Sequence, residues 1–210
     1  MPPLPIKLSI RSNRKPPGDN MANTAKFDRR EVLESATRLF WQKGFHGTST
    51  RDIQQATNLR PGSIYAAFGS KSGLFKEVLH FYADNMADQL SRNLSEHASA
   101  TAGLRAFFRH VILDDGDDAP SELCLLAKSL SELEEGEAEL LCETRRLLAA
   151  TEQRFQEALA EAVAAGELAA DTDTALAARQ LQIQLIGLRS YLRATGDRTA
   201  VAALIEQLFH

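Results

Sequence analysis

The chain has 210 residues, of which 44% are hydrophobic and 25% charged, and a net charge of −4. That length and apolar content fit one domain or two small ones with a real core. No apolar run approaches the roughly 20 residues that a membrane-spanning helix needs. The two cysteines, Cys124 and Cys142, are too few for a disulfide framework. The N-terminal stretch lacks the order of a signal peptide, basic residues and then an apolar core. The cytoplasm is therefore the expected compartment.

Ala, Leu, Glu and Gln are abundant, all strong helix formers, and no alternating run of β-branched residues occurs, so the chain reads as all-α. Residues 1–22 hold five prolines and little that can pack, which predicts a disordered tail; Met21 is a second plausible start. A first helix is expected from Asp28 to Lys43, with Val32, Leu33, Ala36, Leu39 and Phe40 at helical spacing and Gly44 as its stop. Ser49 and Asp52 form a capping-box pattern, with Asp in place of the usual Glu, for a brief second helix ending near Thr57. Asn58 to Arg60 is a turn. Pro61 suits the first position of a third helix that runs to Phe68. Gly69 breaks it, and Ser70 caps a long fourth helix through Tyr82 to about Leu94.

Further helices are expected over Thr101 to Leu113, Ser121 to Leu133, Glu137 to Ala165, from Asp171 or Thr172 to Arg193, and over Asp197 to Phe209. The acidic stretch Asp114 to Pro120 is a loop. It lacks the alternating ligands and terminal Glu of a calcium loop, since Leu125 stands at the twelfth position. The five histidines are scattered without paired metal spacing, so neither metal nor cofactor is expected. No phosphate-cradling glycine loop or nucleophile elbow is present, and no catalytic group converges, which argues against an enzyme.

Charge is divided unevenly. Residues 23–72 carry eight bases against four acids, and residues 1–22 add a further +3, leaving −11 on the remainder. A basic N-terminal third on an acidic body points to a polyanion partner for the first part alone. The two short helices make a helix-turn-helix, whose second helix enters the major groove with its N-terminal residues nearest the base edges. Those residues are Arg60, Pro61, Gly62, Ser63, Tyr65 and Ala66. Gly62 and Ser63 are small enough for a close backbone approach. Tyr65 has a hydroxyl for a phosphate, and Arg60 a donor fork for guanine or phosphate. Thr50 and Arg51 open the preceding helix, where an anion is welcome. Lys71, in the first turn of the fourth helix, opposes the helix dipole unless something compensates it.

The runs Ala36–Phe40, Gly44-Phe45, Thr48–Ile53, Pro61–Phe68 and Ser70–Phe75 together closely resemble the tetracycline-repressor family of bacterial regulators, over about residues 27–80. The resemblance implies a three-helix DNA-binding domain at 23–69 and a helical ligand-binding and dimerisation domain at 70–210. It aligns Thr50, Arg51, Arg60, Gly62, Ser63, Tyr65 and Lys71 with positions that touch DNA. Ala66 and Ala67 stand where relatives often carry larger or more polar residues. The implied protein is a homodimeric repressor, released from a near-palindromic duplex operator by a small-molecule effector. The alternative is a helix-turn-helix protein that works through protein contacts without specific DNA binding.

Dimerisation in such proteins usually runs through the last long helices. From Ala177 onward Leu181, Leu185, Leu188 and Leu192 make one apolar stripe, and Ile183, Ile186, Gly187 and Tyr191 another. A helix apolar on two faces is buried on both, one against its own core and one against a partner. We take the leucine stripe as the dimer face. Candidate effector contacts are Phe81, Tyr82, Phe107, Phe108, His110, Phe155 and Tyr191. Cys124 lies in a Cys-Leu-Leu pattern found in some family members and is a candidate thiol sensor, a role that requires an exposed, low-pKa thiolate.

Overall fold

The computed structural model describes residues 27–114 and 123–209. The proline-rich tail, residues 115–120 of the acidic loop and the expected helix start at Ser121 lie outside them. The described residues form α1 (Arg29–Lys43), α2 (Thr50–Thr57), α3 (Pro61–Phe68), α4 (Lys71–Glu96), α5 (Ala100–Arg109), α6 (Leu125–Glu132), α7 (Ala138–Ala164), α8 (Thr174–Thr195) and α9 (Arg198–Leu208). No strand occurs among them.

The first four helices begin and end where the side chains dictate. The Asp28 carboxylate accepts the free amides of Arg30 and Glu31, and α1 ends at Gly44 with φ 78°. Ser49 and Asp52 cap α2 reciprocally, and Lys43 Nζ lies 2.5 Å from the other Asp52 oxygen. Lys43 and Ser49 together hold the Asp52 carboxyl far below the usual carboxylate range. Pro61 opens α3, and Ser70 Oγ accepts from Gly73 N at the start of α4.

The core divides into two clusters along α4. The first joins Val32, Ala36 and Phe40 of α1, Phe45, Ile53, Ile64 and Phe68 to Leu74, Phe75, Val78, Leu79 and Tyr82 on the first half of α4. It also takes in Leu125 and Leu126 of α6 and Leu140 and Leu147 of α7, so this packing crosses residue 69 without a seam. Phe40, Phe45 and Phe75 sit at its centre, with ring centroids 4.8 and 5.0 Å apart for the pairs that include Phe75. Burying each such ring stabilises the fold by about 1.5–3 kcal/mol. The second cluster joins Leu90 of α4 to Phe107 and Phe108 of α5, Phe155 and Leu159 of α7, and the inner faces of α8 and α9.

Four expectations need correction. Helix α5 stops at Arg109, and His110–Asp114 form a π-helical turn instead of continuing to Leu113. That turn buries the consecutive residues Val111, Ile112 and Leu113, which a regular helix would fan over about 200° of its circumference. Helix α6 starts at Leu125, after Cys124, and ends at Glu132. Helix α8 starts at Thr174, because Asp173, and not Asp171 or Thr172, accepts from the Leu176 amide. Leu181, Leu185, Leu188 and Leu192 are at most 6% exposed and pack into the chain's own second cluster, so the leucine stripe is not a free face.

One long-range cap fixes the second cluster. Glu167, in the loop between α7 and α8, accepts Ala100 N at 3.0 Å, Thr101 N at 2.9 Å and Thr101 Oγ1 at 2.8 Å, holding the start of α5. The Thr101 amide is the main cause of a lowered Glu167 pKa. A lowered folded-state pKa adds stability above the unfolded value and loses it as pH falls through the folded one. Glu167→Ala should therefore cost about 1 kcal/mol in urea unfolding at pH 7. The gap to wild type should close as pH drops below about 4.3, and a gap that stays constant with pH would contradict this role.

Candidate nucleic-acid interface

Ile64 and Phe68 are buried, and as i and i+4 partners they turn one face of α3 inward. The opposite face presents Pro61, Gly62, Tyr65 and Ala66 to solvent, with Ser63 half-buried beside them. Tyr65 is 44% exposed, and its hydroxyl lies 3.5 Å from Thr50 Oγ1 at the start of α2. Both helix starts therefore converge on one surface. Arg51 and Arg60 are exposed at its edges.

Pairing separates the cations of this region. Arg29 forks onto Glu77 and lies over the Phe68 ring, Arg30 pairs with Glu34, and Lys43 pairs with Asp52. Arg51 and Arg60 have no ion-pair partner among the described residues. The first and third tie separate elements together and the second lies along α1, whereas Arg51 and Arg60 leave positive charge on the surface that α2 and α3 share. Lys71 Nζ sits 4.5 Å from the centroid of the Phe45 ring. Burial lowers the pKa of this ammonium, and the Glu137 carboxylate acts in the opposite direction. The aromatic face and Glu137 thus supply the compensation that a cation in the first turn of a helix needs.

Gly62 carries a separate signal. A Cβ built there meets nothing within 4 Å. The chain's own packing therefore does not require a glycine, although glycine costs a helix about 0.5–1 kcal/mol relative to alanine. Gly44 is the contrast: its φ is 78°, and a Cβ would lie 2.1 Å from a Glu132 carboxylate oxygen.

That carboxylate belongs to a brace which the sequence did not disclose. Glu132 Oε2 accepts the Phe45 amide at 3.0 Å, while Lys128 Nζ donates to the Trp41 and Gln42 carbonyls at 2.8 and 3.0 Å. The Trp41 indole donates to the Leu123 carbonyl. In sequence Lys128 and Glu132 look like an ordinary solvated i, i+4 pair. In the fold they grip the last turn of α1. Arg189, buried on α8, lies over the Trp41 ring at 5.4 Å from its centroid.

The candidate effector contacts do not line one cavity. Phe107, Phe108 and Phe155 are buried against one another, with ring centroids 6.0 to 6.1 Å apart, as core. Tyr82 is buried against Trp41, Phe81 is half-buried, and Tyr191 is 46% exposed on the outer face of α8. His110 lines an open cleft of about 600 Å³ between α4 and α5, together with Gln89, Arg92, Asn93, His97 and Arg109. Cys124 is only 7% exposed, which is not the accessible thiol that sensing requires. No group of three or more His, Cys, Asp or Glu among the described residues is placed to hold a metal.

Residues 32–78 match the family model of bacterial regulatory proteins of the tetR family, and residues 100–208 match the tetracyclin repressor-like C-terminal domain. The chain belongs to the TetR family. It is 29% identical to the transcriptional repressor ComR of Escherichia coli K12 over 77% of this chain and 78% of that one. It is also 26% identical to the regulator YezE of Bacillus subtilis 168, over 84% of this chain and 92% of that one. A cysteine mutant of the TetR-family regulator CifR, solved on 26-base-pair operator DNA, superposes with a TM-score of 0.78 at 29% identity, covering 87% of this chain and 96% of that one. A TetR-family structure from Cytophaga hutchinsonii, at 23% identity and a TM-score of 0.77, shares the fold.

Within this TetR-family chain, Gly62→Ala separates packing from recognition. The variant should melt no lower than wild type, and should be more stable by up to about 0.5 kcal/mol. If α3 is the face that meets DNA, its DNA affinity should fall, because the added methyl would stand between Gly62 and the DNA backbone. A lower melting temperature would assign Gly62 to the chain's own packing.

Proposed function

We propose that the chain is a homodimeric, sequence-specific transcriptional repressor of the cytoplasm that leaves a near-palindromic operator when a small molecule binds its C-terminal domain. The observation that carries this reading is the outward face of α3. It combines an unfilled Gly62, an exposed Tyr65 beside Thr50, and the two cations Arg51 and Arg60, which lack ion-pair partners among the described residues. CifR, whose fold and sequence it resembles, was solved on operator DNA. No helix among the described residues is long and apolar enough to cross a membrane.

On this reading residues 23–69 are the reading head and 70–210 the ligand-binding and dimerisation region. α3 lies in the major groove, with Arg60, Pro61, Gly62 and Ser63 nearest the bases. Thr50, Arg51, Tyr65 and Lys71 serve the phosphates, which fix register without reading sequence. The effector must bind the DNA-incompetent state more tightly, because equal affinity for both states shifts nothing. A coupling of about 1–3 kcal/mol changes affinity several-fold to a hundredfold. The α6 brace offers a route, since moving Lys128 and Glu132 relative to α1 displaces the head.

The partner face is the second stripe of α8. Leu176, Ile183 and Tyr191 are 51%, 67% and 46% exposed there, and Leu204 of α9 is 42% exposed. Gly187 lies among them with open space at its Cβ position, which allows two α8 helices to approach closely. An exposed apolar stripe along one helix suits an isologous two-fold contact.

Two measurements test this reading. Lys71→Ala should weaken binding to every duplex and lower the slope of log affinity against log salt by about one. Arg60→Ala should instead lose about 1–3 kcal/mol on the preferred site and relax preference at one base pair. Equal losses on all sequences would make Arg60 a phosphate contact. In sedimentation, Ile183→Glu should give a folded monomer, and a persisting dimer would exclude this face.

A further inference from the structure

The reading face is held close to an acidic turn of the C-terminal region. The turn Glu135–Glu137 precedes α7, and Glu137 Oε2 lies 3.8 Å from His46 Nε2 in the loop between α1 and α2. The same oxygen accepts the Glu134 amide at 2.9 Å, which fixes the carboxylate in place. The His46 ring meets the edge of Phe45 at 5.2 Å between centroids, and Lys71 Nζ lies over that same Phe45 ring. Phe45 thus has both His46 and Lys71 against its ring, and Glu137 reaches the first at 3.8 Å and lies near enough to the second to favour its charged form. The Glu137 side chain is 23% exposed, so its field is only partly screened by water. Glu139, two residues on, is turned to Lys76 instead, at 2.7 Å.

We infer that Glu137 is a built-in competitor for DNA phosphate, a carboxylate set beside the Lys71 ammonium at the start of α4 and the His46 ring in the loop before α2, which holds down the affinity of the reading head for any duplex. The inference rests on the DNA-binding reading and adds to it a residue from outside the helix-turn-helix. A phosphate that reaches Lys71 must displace or share this anion, and the fixed negative charge beside it repels the backbone. The effect is independent of sequence, because it acts only on phosphate contacts. Since Glu137 belongs to the segment between α6 and α7, any rearrangement that withdraws the turn strengthens binding without altering base contacts.

The test is a titration of the full-length protein with a labelled duplex of mixed sequence, at low and at physiological salt. Glu137→Gln removes the charge and keeps an oxygen for the Glu134 amide. It should bind about 2- to 5-fold tighter at low salt, the range that one partly exposed ion pair supplies, and the gain should shrink as salt rises. The gain should vanish when Lys71→Met is combined with His46→Gln. Glu157→Gln, an equal charge change in the body of α7, should leave affinity unchanged. Equal or weaker binding by a folded Glu137→Gln protein, an equal gain from Glu157→Gln, or a gain that survives the double substitution would overturn the inference alone. A wild-type protein that binds no duplex at any salt would overturn the DNA-binding reading and this inference with it.

Discussion

The continuity of α4 is the constraint on which the rest depends. Its 26 residues extend about 39 Å at 1.5 Å per residue. Its first turns belong to the aromatic cluster beneath the reading head, and its last turns to the cluster beneath α8 and α9. Phe75 locks the start of this helix against Phe40 and Phe45. The head therefore shares one core with the body instead of packing as an independent unit. A displacement of the body must reach it as a tilt or shift of α4, or through the hydrogen bonds that α6 makes to the end of α1.

That architecture explains the uneven use of charge. Three cations of the N-terminal region are paired within the chain: Arg29 with Glu77, Lys43 with Asp52, Arg30 with Glu34. The positive charge left on the outward face is small, and part of it faces Glu137. Affinity for nucleic acid then rests on a few well-placed contacts and on having two heads, in keeping with a chain whose net charge is −4. On the proposed reading, the exposed stripe on α8 brings a second copy, and with it a second head, alongside.

The helix-turn-helix was legible in the sequence because each boundary is written in local chemistry. Ser49 with Asp52, Pro61, and Gly69 with Ser70 act within a few residues of themselves, and the structure places those boundaries where the pattern puts them. Long-range features were not legible. The brace from Lys128 and Glu132 to α1 joins residues more than eighty positions apart. Helix α8 is apolar on two faces, and periodicity alone cannot say which face meets the chain's own core; the leucines do, leaving Ile183 and Tyr191 outside. The aromatic residues expected to line an effector site mostly fill the core, as large apolar rings do in any helical domain. The π-helical turn at His110–Asp114 has no sequence signature that the pattern of apolar residues could expose.

The most direct test of this account is selection of bound sequences from random duplex DNA by the purified full-length protein. The account predicts a near-palindromic site, its half-sites separated by about one helical turn or a multiple of it, as two α3 helices on a two-fold dimer require. Failure to enrich any sequence, with a folded dimer confirmed at low salt, would contradict the assignment of α3 as a reader of bases.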